Sequence, residues 1–230
     1  MKIALIGHGS MGKTVQALAL EKGHEITVIV NAGHSGLDAG ELASTLQAAD
    51  VAIDFTTAAS VRRNVEACMM AGIPLAEGTT GWLAEIDSIK KVVSESGGAL
   101  VYGANFSIGV NLFYRVVDFA ARLISKFPEY EAFLEEQHHS RKKDAPSGTA
   151  LKLQEIVSTH VDRGPSVSAT RAGNMPGTHR VGFDGPADQI MLEHTARSRE
   201  GFALGAIKAA EWVVGKKGFF EFSEVLDEIK

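Results

Sequence analysis

Cysteine is nearly absent from this 230-residue chain: Cys68 is the single thiol. One cysteine excludes an internal disulfide framework and any zinc site built on cysteines, and it suits a reducing compartment or indifference to redox state. Basic residues are not in excess either. Lys and Arg number 23 against 28 Asp and Glu, for a net charge of −5 and a pI near 5.9, so global attraction to nucleic acid or to an anionic membrane face is not expected. No apolar run approaches the ~20 residues that span a bilayer. The opening MKIALIGHGSMGK breaks into glycines too early for a signal peptide, and the expectation is a cytoplasmic protein. Internal repeats, low-complexity stretches and charge-rich linkers are also missing. What remains, 45% hydrophobic and 22% charged residues, is the balance of an ordinary folded protein of one large or two modest domains.

The first part of the chain alternates strand and helix patterns. Lys2 to Ile6, Glu25 to Val30, Val51 to Phe55, Pro74 to Glu77 and Leu100 to Tyr102 are short, largely apolar runs of the buried-strand kind. Between them, Met11 to Glu21, Ser60 to Met70 and Leu83 to Ser94 carry helical spacing. Such alternation predicts an α/β, Rossmann-like doubly wound parallel sheet over residues 1–104. From Asn105 the pattern changes. A long amphipathic helix over Gly109 to Phe127 is followed by strand patterns at Tyr130 to Gln137, Val167 to Ala172, Arg180 to Phe183 and Gln189 to Thr195, with one helix near Thr149 to Thr159. This predicts a mixed-sheet α+β domain over residues 105–205. The helical tail from Ala203 to Val214 is then free to pack back onto the first domain.

Gly7-His8-Gly9-Ser10-Met11-Gly12 matches G-x-G-x-x-G directly after the first strand and at the opening of the first helix. There the first glycine serves the tight turn, the second the approach of a pyrophosphate, and the third close helix–strand packing, with helix N–H groups facing the anion. A dinucleotide is the natural ligand; a plain tight turn that binds nothing is the competing reading. The second strand ends in Asn31 rather than the acidic residue that favours NAD. Asn31 does not repel a 2′-phosphate and can still meet a hydroxyl, so NADH and NADPH both stay open, with Lys13 and His34 as candidate phosphate neighbours. Asn31 as a simple turn residue is equally consistent. Asp54-Phe55-Thr56 and Gly78-Thr79-Thr80-Gly81 follow later strands and face the same crevice, where ligands of such folds bind, unless they are turn chemistry alone.

The segment from Glu136 to Thr149, EQHHSRKKDAPSGT, concentrates two histidines and three cations in a net acidic chain. Such a focus suits a small polyanion better than a polymer, although charge runs are commonly just solvated loops. Ser147 has the character of a helix cap, leaving N–H groups at Gly148 and Thr149 for a carboxylate. A dicarboxylate gripped from two sides would then have a histidine or lysine beside it to deliver a proton. His138 and His139 are adjacent rather than at i, i+4 spacing and no H-E-x-x-H occurs, so no metal site is expected.

Together these segments, with Ala104-Asn105-Phe106-Ser107-Ile108-Gly109-Val110, resemble the 4-hydroxy-tetrahydrodipicolinate reductase (dihydrodipicolinate reductase) family of the diaminopimelate route to lysine. H-H-x-x-K-x-D-A-P-S-G-T is the most specific string. The resemblance implies a dinucleotide-binding domain completed by tail 206–230, and a substrate domain that also forms a homotetramer. It implies NADH- or NADPH-dependent reduction of a small cyclic dicarboxylate with loss of water. His138 and Lys142 would serve as acid and proton donor, and His139, Gly148 and Thr149 would bind substrate. Gly7, Gly9, Ser10, Met11, Gly12, Asn31, Asp54, Phe55, Gly78, Thr79, Thr80, Ala104, Asn105 and Phe106 would form the cofactor site. Many members carry one more residue in the glycine turn and an acidic residue in place of Asn31.

Overall fold

A computed structural model describes residues 1–229, which divide into two units: Met1–Ser107 with the segment from Glu200 onward, and Ile108–Arg199. In the first, β1 (Lys2–Ile6), α1 (Ser10–Glu21), β2 (Glu25–Val30), α2 (Ala39–Leu46), β3 (Val51–Asp54), α3 (Ala58–Ala71), β4 (Leu75–Glu77), α4 (Ile86–Ser96) and β5 (Ala99–Tyr102) alternate along the chain. All strand pairs are parallel, in the order β10-β5-β4-β3-β1-β2, where β10 is Gly218–Glu221 near the end of the chain. Ile3, Ala4, Leu5 and Ile6 are all buried, as expected of a strand covered on both faces. α2, α3 and α4 supply one cover, and α7 (Glu200–Val213) packs on α1, β3, β4 and β5. Strand order reverses across β1, so the carboxyl ends of β1 and β3 flank the switch point where this architecture receives ligands.

Among the elements that went unread in the sequence are a helix and a strand of the first unit. Helix α2 starts at a capping box, with Asp38 Oδ1 accepting from the Glu41 amide at 2.8 Å and Glu41 Oε2 accepting from the Asp38 amide at 2.9 Å. β10 is four residues long and follows a helix that already satisfied the tail's pattern.

The second unit runs α5 (Ile108–Ile124), β6 (Glu131–His138), α6 (Gly148–Ser158), β7 (Ser166–Arg171), β8 (Thr178–Asp184) and β9 (Gln189–Thr195). Its mixed sheet has the order β7-β6-β8-β9: β6 and β7 are parallel, and the other pairs antiparallel. Phe113, Val117, Ala121 and Ile124 of α5 and Leu153 and Val157 of α6 share a core with Ala132, Leu134, Val181 and Phe183 of the sheet. Along β6 every second residue is buried, so Glu136 and His138 lie on the same face as Ala132 and Leu134.

Candidate functional site

The glycine turn of the first unit is built by contacts that only glycine permits. Gly7 has φ +92°, and a Cβ there would stand 2.4 Å from the Phe55 carbonyl oxygen; one on Gly12 would stand 2.0 Å from the Gly7 oxygen. Gly9, exposed at the N-terminal boundary of α1, faces open space. Ser10 and Met11 open the helix beside it. The turn thus leaves the first amides of α1 approachable, which fits the pyrophosphate of a dinucleotide.

The neighbouring loops are locked together from below. Asp54 is fully buried; its Oδ2 accepts from Asn64 Nδ2 at 2.7 Å, and Asn64 Nδ2 also reaches Thr56 Oγ1 at 3.1 Å. The Thr79 amide donates to Glu77 Oε1 at 2.6 Å, Thr79 Oγ1 accepts from the Thr56 amide at 3.0 Å, and Trp82 Nε1 donates to the Thr79 carbonyl at 2.8 Å. Asp54 and buried Thr79 therefore act on the crevice from behind, whereas Gly78 and Thr80 reach its surface. Gly78 lies flat against the Phe55 ring, which a Cβ would strike at 2.3 Å. Phe55 in turn meets buried Phe106 edge-on at 6.3 Å, next to exposed Ala104 and to Asn105, whose Oδ1 accepts from the Ser107 amide at 2.8 Å.

Asn31 spends its side-chain oxygen locally, accepting from the Gly33 amide at 2.9 Å, while its own amide donates to His34 Nδ1 at 3.2 Å. The loop beyond it is pinned by Arg63 of α3, whose Nη1 donates to the carbonyls of His34, Ser35 and Leu37 at 3.3, 3.0 and 3.3 Å. Sequence reasoning missed Arg63, and no local signal marks it: an arginine on a helix is ordinary until the fold sets a loop across it.

In the second unit, strand register assembles a polar cluster. Glu136 pairs with His179 across the β6–β8 ladder, and His138 with Arg171 across β6–β7. Glu136, 1% exposed, accepts at Oε1 from the Ser147 amide (2.9 Å) and from Arg171 Nη2 (2.6 Å). Arg171 Nη2 also donates to the Asp144 carbonyl at 2.6 Å. Burial alone would raise the Glu136 carboxyl, but the donors Ser147 and Arg171 outweigh it and hold the group below the usual carboxylate range. His138 Nδ1 lies 3.3 Å from Glu136 Oε2, and His179 Nε2 lies 3.6 Å from the same oxygen. Burial lowers His138, with Lys142 and Arg171 adding to the fall, against the raising charges of Glu136 and Asp144. Burial and then the nearby His138 push His179 down to about 4, so it is neutral at physiological pH.

Around this hub, Lys142 Nζ pairs with Asp144 Oδ2 at 2.9 Å. The His139 amide donates to the Met175 carbonyl at 2.8 Å, and its Nδ1 is buried without a hydrogen-bond partner among the described residues. Ser147 caps α6, its Oγ accepting from the Ala150 amide at 3.2 Å, and Gly148 is exposed at the helix start with Thr149 next to it. The structure thus gathers His138, Ser147 and the α6 N-terminus around one buried carboxylate, with Lys142 paired to Asp144 in the loop that follows. Glu136, Arg171 and His179 were missed as site residues, although the period of two along β6 would have placed Glu136 beside His138. Glu136, His138 and His179 bring three donor atoms within 4.8 Å of one another. The carboxylate's charge is, however, already met by Arg171.

Both halves of the chain match known proteins. Residues 1–106 match the family described as dihydrodipicolinate reductase, N-terminus, and residues 109–226 match its C-terminus. A protein of Christiangramia forsetii named 4-hydroxy-tetrahydrodipicolinate reductase is 34% identical, with 100% of this chain and 99% of that protein covered. One of the same name from Archaeoglobus fulgidus is also 34% identical, over 99% of this chain and 100% of the relative. In fold, a dipicolinate-bound dihydrodipicolinate reductase from Paenisporosarcina sp. TG-14 superposes with a TM-score of 0.80 at 19% identity, covering 98% of this chain and 99% of that one. With a glycine turn at the switch point of one unit, the H-H-x-x-K string folded around a buried glutamate in the other, and both family halves matched end to end, the chain belongs to the dihydrodipicolinate reductase family.

Proposed function

We propose that this chain reduces 4-hydroxy-tetrahydrodipicolinate to tetrahydrodipicolinate. The ring gains a hydride, a proton leaves with the hydroxyl as water, and a reduced nicotinamide dinucleotide supplies the hydride when bound. The observation that carries this reading is the 34% identity to reductases of that name over essentially the whole of each chain. The geometry accords with it. The amides of the Gly7–Gly12 turn suit the pyrophosphate, and Gly78 and Thr80, with Ala104 and Asn105, suit the nicotinamide side. Asn31 brings no negative charge against a 2′-phosphate, so both NADH and NADPH are accepted. On the substrate side, the α6 amides at Gly148 and Thr149 take one carboxylate, His139 orients the ring, and His138 with Lys142 holds the proton that departs with the hydroxyl. The apolar row Leu112, Val116, Phe119 and Leu123, each about half exposed on α5, supports a homotetramer. The cytoplasm is the compartment we propose for the reaction.

Turnover tests the reading. Substrate generated by the preceding synthase should drive oxidation of NADH and of NADPH, and pyridine-2,6-dicarboxylate should inhibit it. Tight dinucleotide binding without any oxidation would instead describe a sensor.

A further inference from the structure

The hub of the second unit contains a carboxylate for which the proposed chemistry has no direct use. Glu136 is buried, and its Oε1 is saturated by the Ser147 amide and the Arg171 guanidinium. Its Oε2 has no hydrogen bond among the described residues and faces two imidazoles, at 3.3 Å to His138 Nδ1 and 3.6 Å to His179 Nε2. His179 Nε2 has another neighbour, the Ser147 hydroxyl at 3.2 Å. That hydroxyl already accepts from the Ala150 amide, so its hydrogen is available to a neutral His179. His138 Nδ1 is buried and has no other partner among the described residues.

We propose that Glu136 is a positioning residue for His138: anchored through Oε1, it holds the hydrogen of the imidazole on Nδ1 and thereby presents Nε2 as the nitrogen that exchanges a proton with substrate. The inference rests on the proposed acid role of His138. Its physical basis is that a bare Nδ1 lone pair against a carboxylate oxygen is repulsive, whereas an N–H is attractive, and no other described group is there to decide the tautomer. The other edge of the ring is kept uncrowded by Gly177. A Cβ at that position would stand 3.1 Å from Nε2 and 3.3 Å from Cδ2.

The charge of Glu136 has a second effect. The groups facing His138 are Glu136 on its own strand, Lys142 and Asp144 in the following loop, Arg171 on β7 and His179 on β8. Burial, Lys142 and Arg171 all work against protonation. The negative charge of Glu136 opposes them more strongly than that of Asp144, and this keeps the protonated acid accessible.

Two measurements test this. In wild-type protein with 15N-labelled histidine, the neutral His138 should show a protonated Nδ1 and a bare Nε2; the reverse tautomer overturns the proposal without reference to activity. In turnover, Glu136→Gln should lower kcat by about ten- to a thousand-fold, the range spanned by losing an oriented acid, while dinucleotide Kd changes less than about threefold. The alkaline limb of the pH profile should move to lower pH, and Glu136→Asp should recover part of the rate. Because Glu136 acts through His138, Glu136→Gln should cost less than about twofold in a His138→Gln background. An unmoved limb, or multiplicative losses in the double variant, would overturn the assignment. A wild-type protein that turns over nothing would defeat the proposed function instead, leaving the tautomer result to stand or fall alone.

Discussion

Asp54 and Glu77 are two carboxyl groups with no exposure, tied to adjacent loops of the crevice through Asn64 and the Thr79 amide. Burial first, and then the charge of Asp54, push Glu77 well above the usual carboxylate range. An unfolded glutamate ionises near 4.5, whereas in the fold this one keeps its proton to higher pH. Between those two values the folded state binds the extra proton, so stability is greatest below the unfolded value and falls as pH rises through the folded one. A glutamine at position 77 keeps an acceptor for the Thr79 amide and introduces no ionisation. Thermal melts of Glu77→Gln should therefore decline less with rising pH than those of wild type; an equal decline in both would remove this explanation. Asp54 was legible as a residue of the crevice but not as a buried support, because a strand-end aspartate reads alike whether it faces ligand or core. Asn31 was legible as uncharged, and as either a turn residue or a cofactor contact; that its oxygen serves the turn depends on backbone geometry that spacing alone does not decide.

At the level of elements, apolar runs and glycines carried most of the information. β1, β2 and β9 have the bounds that their sequence patterns gave, and the other strands differ by a residue or two; in the first unit a strand covered on both faces, such as β1, leaves a continuous apolar run. α2 and β10 were among the exceptions: one is a short helix whose signal lies in its cap, the other an edge strand without a pattern of its own. That the tail helix could return to the first domain was legible; how closely α7 packs there was not. A Cβ on Gly205 would stand 1.7 Å from the Phe106 carbonyl oxygen, so this glycine lets α7 lie directly on the segment that carries Asn105 and Phe106. Gly205→Ala should destabilise the protein by about 2 kcal/mol or more, since backbone and not a flexible side chain must give way. A denaturant midpoint equal to wild type would show that α7 is not held that closely. The polar hub depended on register across three strands, which brings Glu136 opposite His179 and His138 opposite Arg171. One strand's alternation hints at half of that arrangement; the partners come from distant sequence.

At the scale of the whole molecule, the H-H-x-x-K-x-D-A-P-S-G-T string, the glycine turn and the segments at residues 54–56, 78–81 and 104–110 together pointed to the family, and the matches to both halves agree. Among the described residues no helix is long and apolar enough to cross a membrane. The exposed row on α5, with Ile190 and Met191 on β9, is the surface we assign to self-association. Light scattering should give four times the chain mass of 24.5 kDa, and Phe119→Glu should lower it; a monomeric wild type would contradict the assembly. The function proposed for the molecule turns on His138 as the acid of a dinucleotide-dependent reduction. The most direct test is the coupled assay on His138→Gln, run beside titration of the same protein with NADH and NADPH. We expect kcat lower by about a hundredfold or more, with cofactor affinity within about threefold of wild type. An undiminished kcat would contradict the acid role.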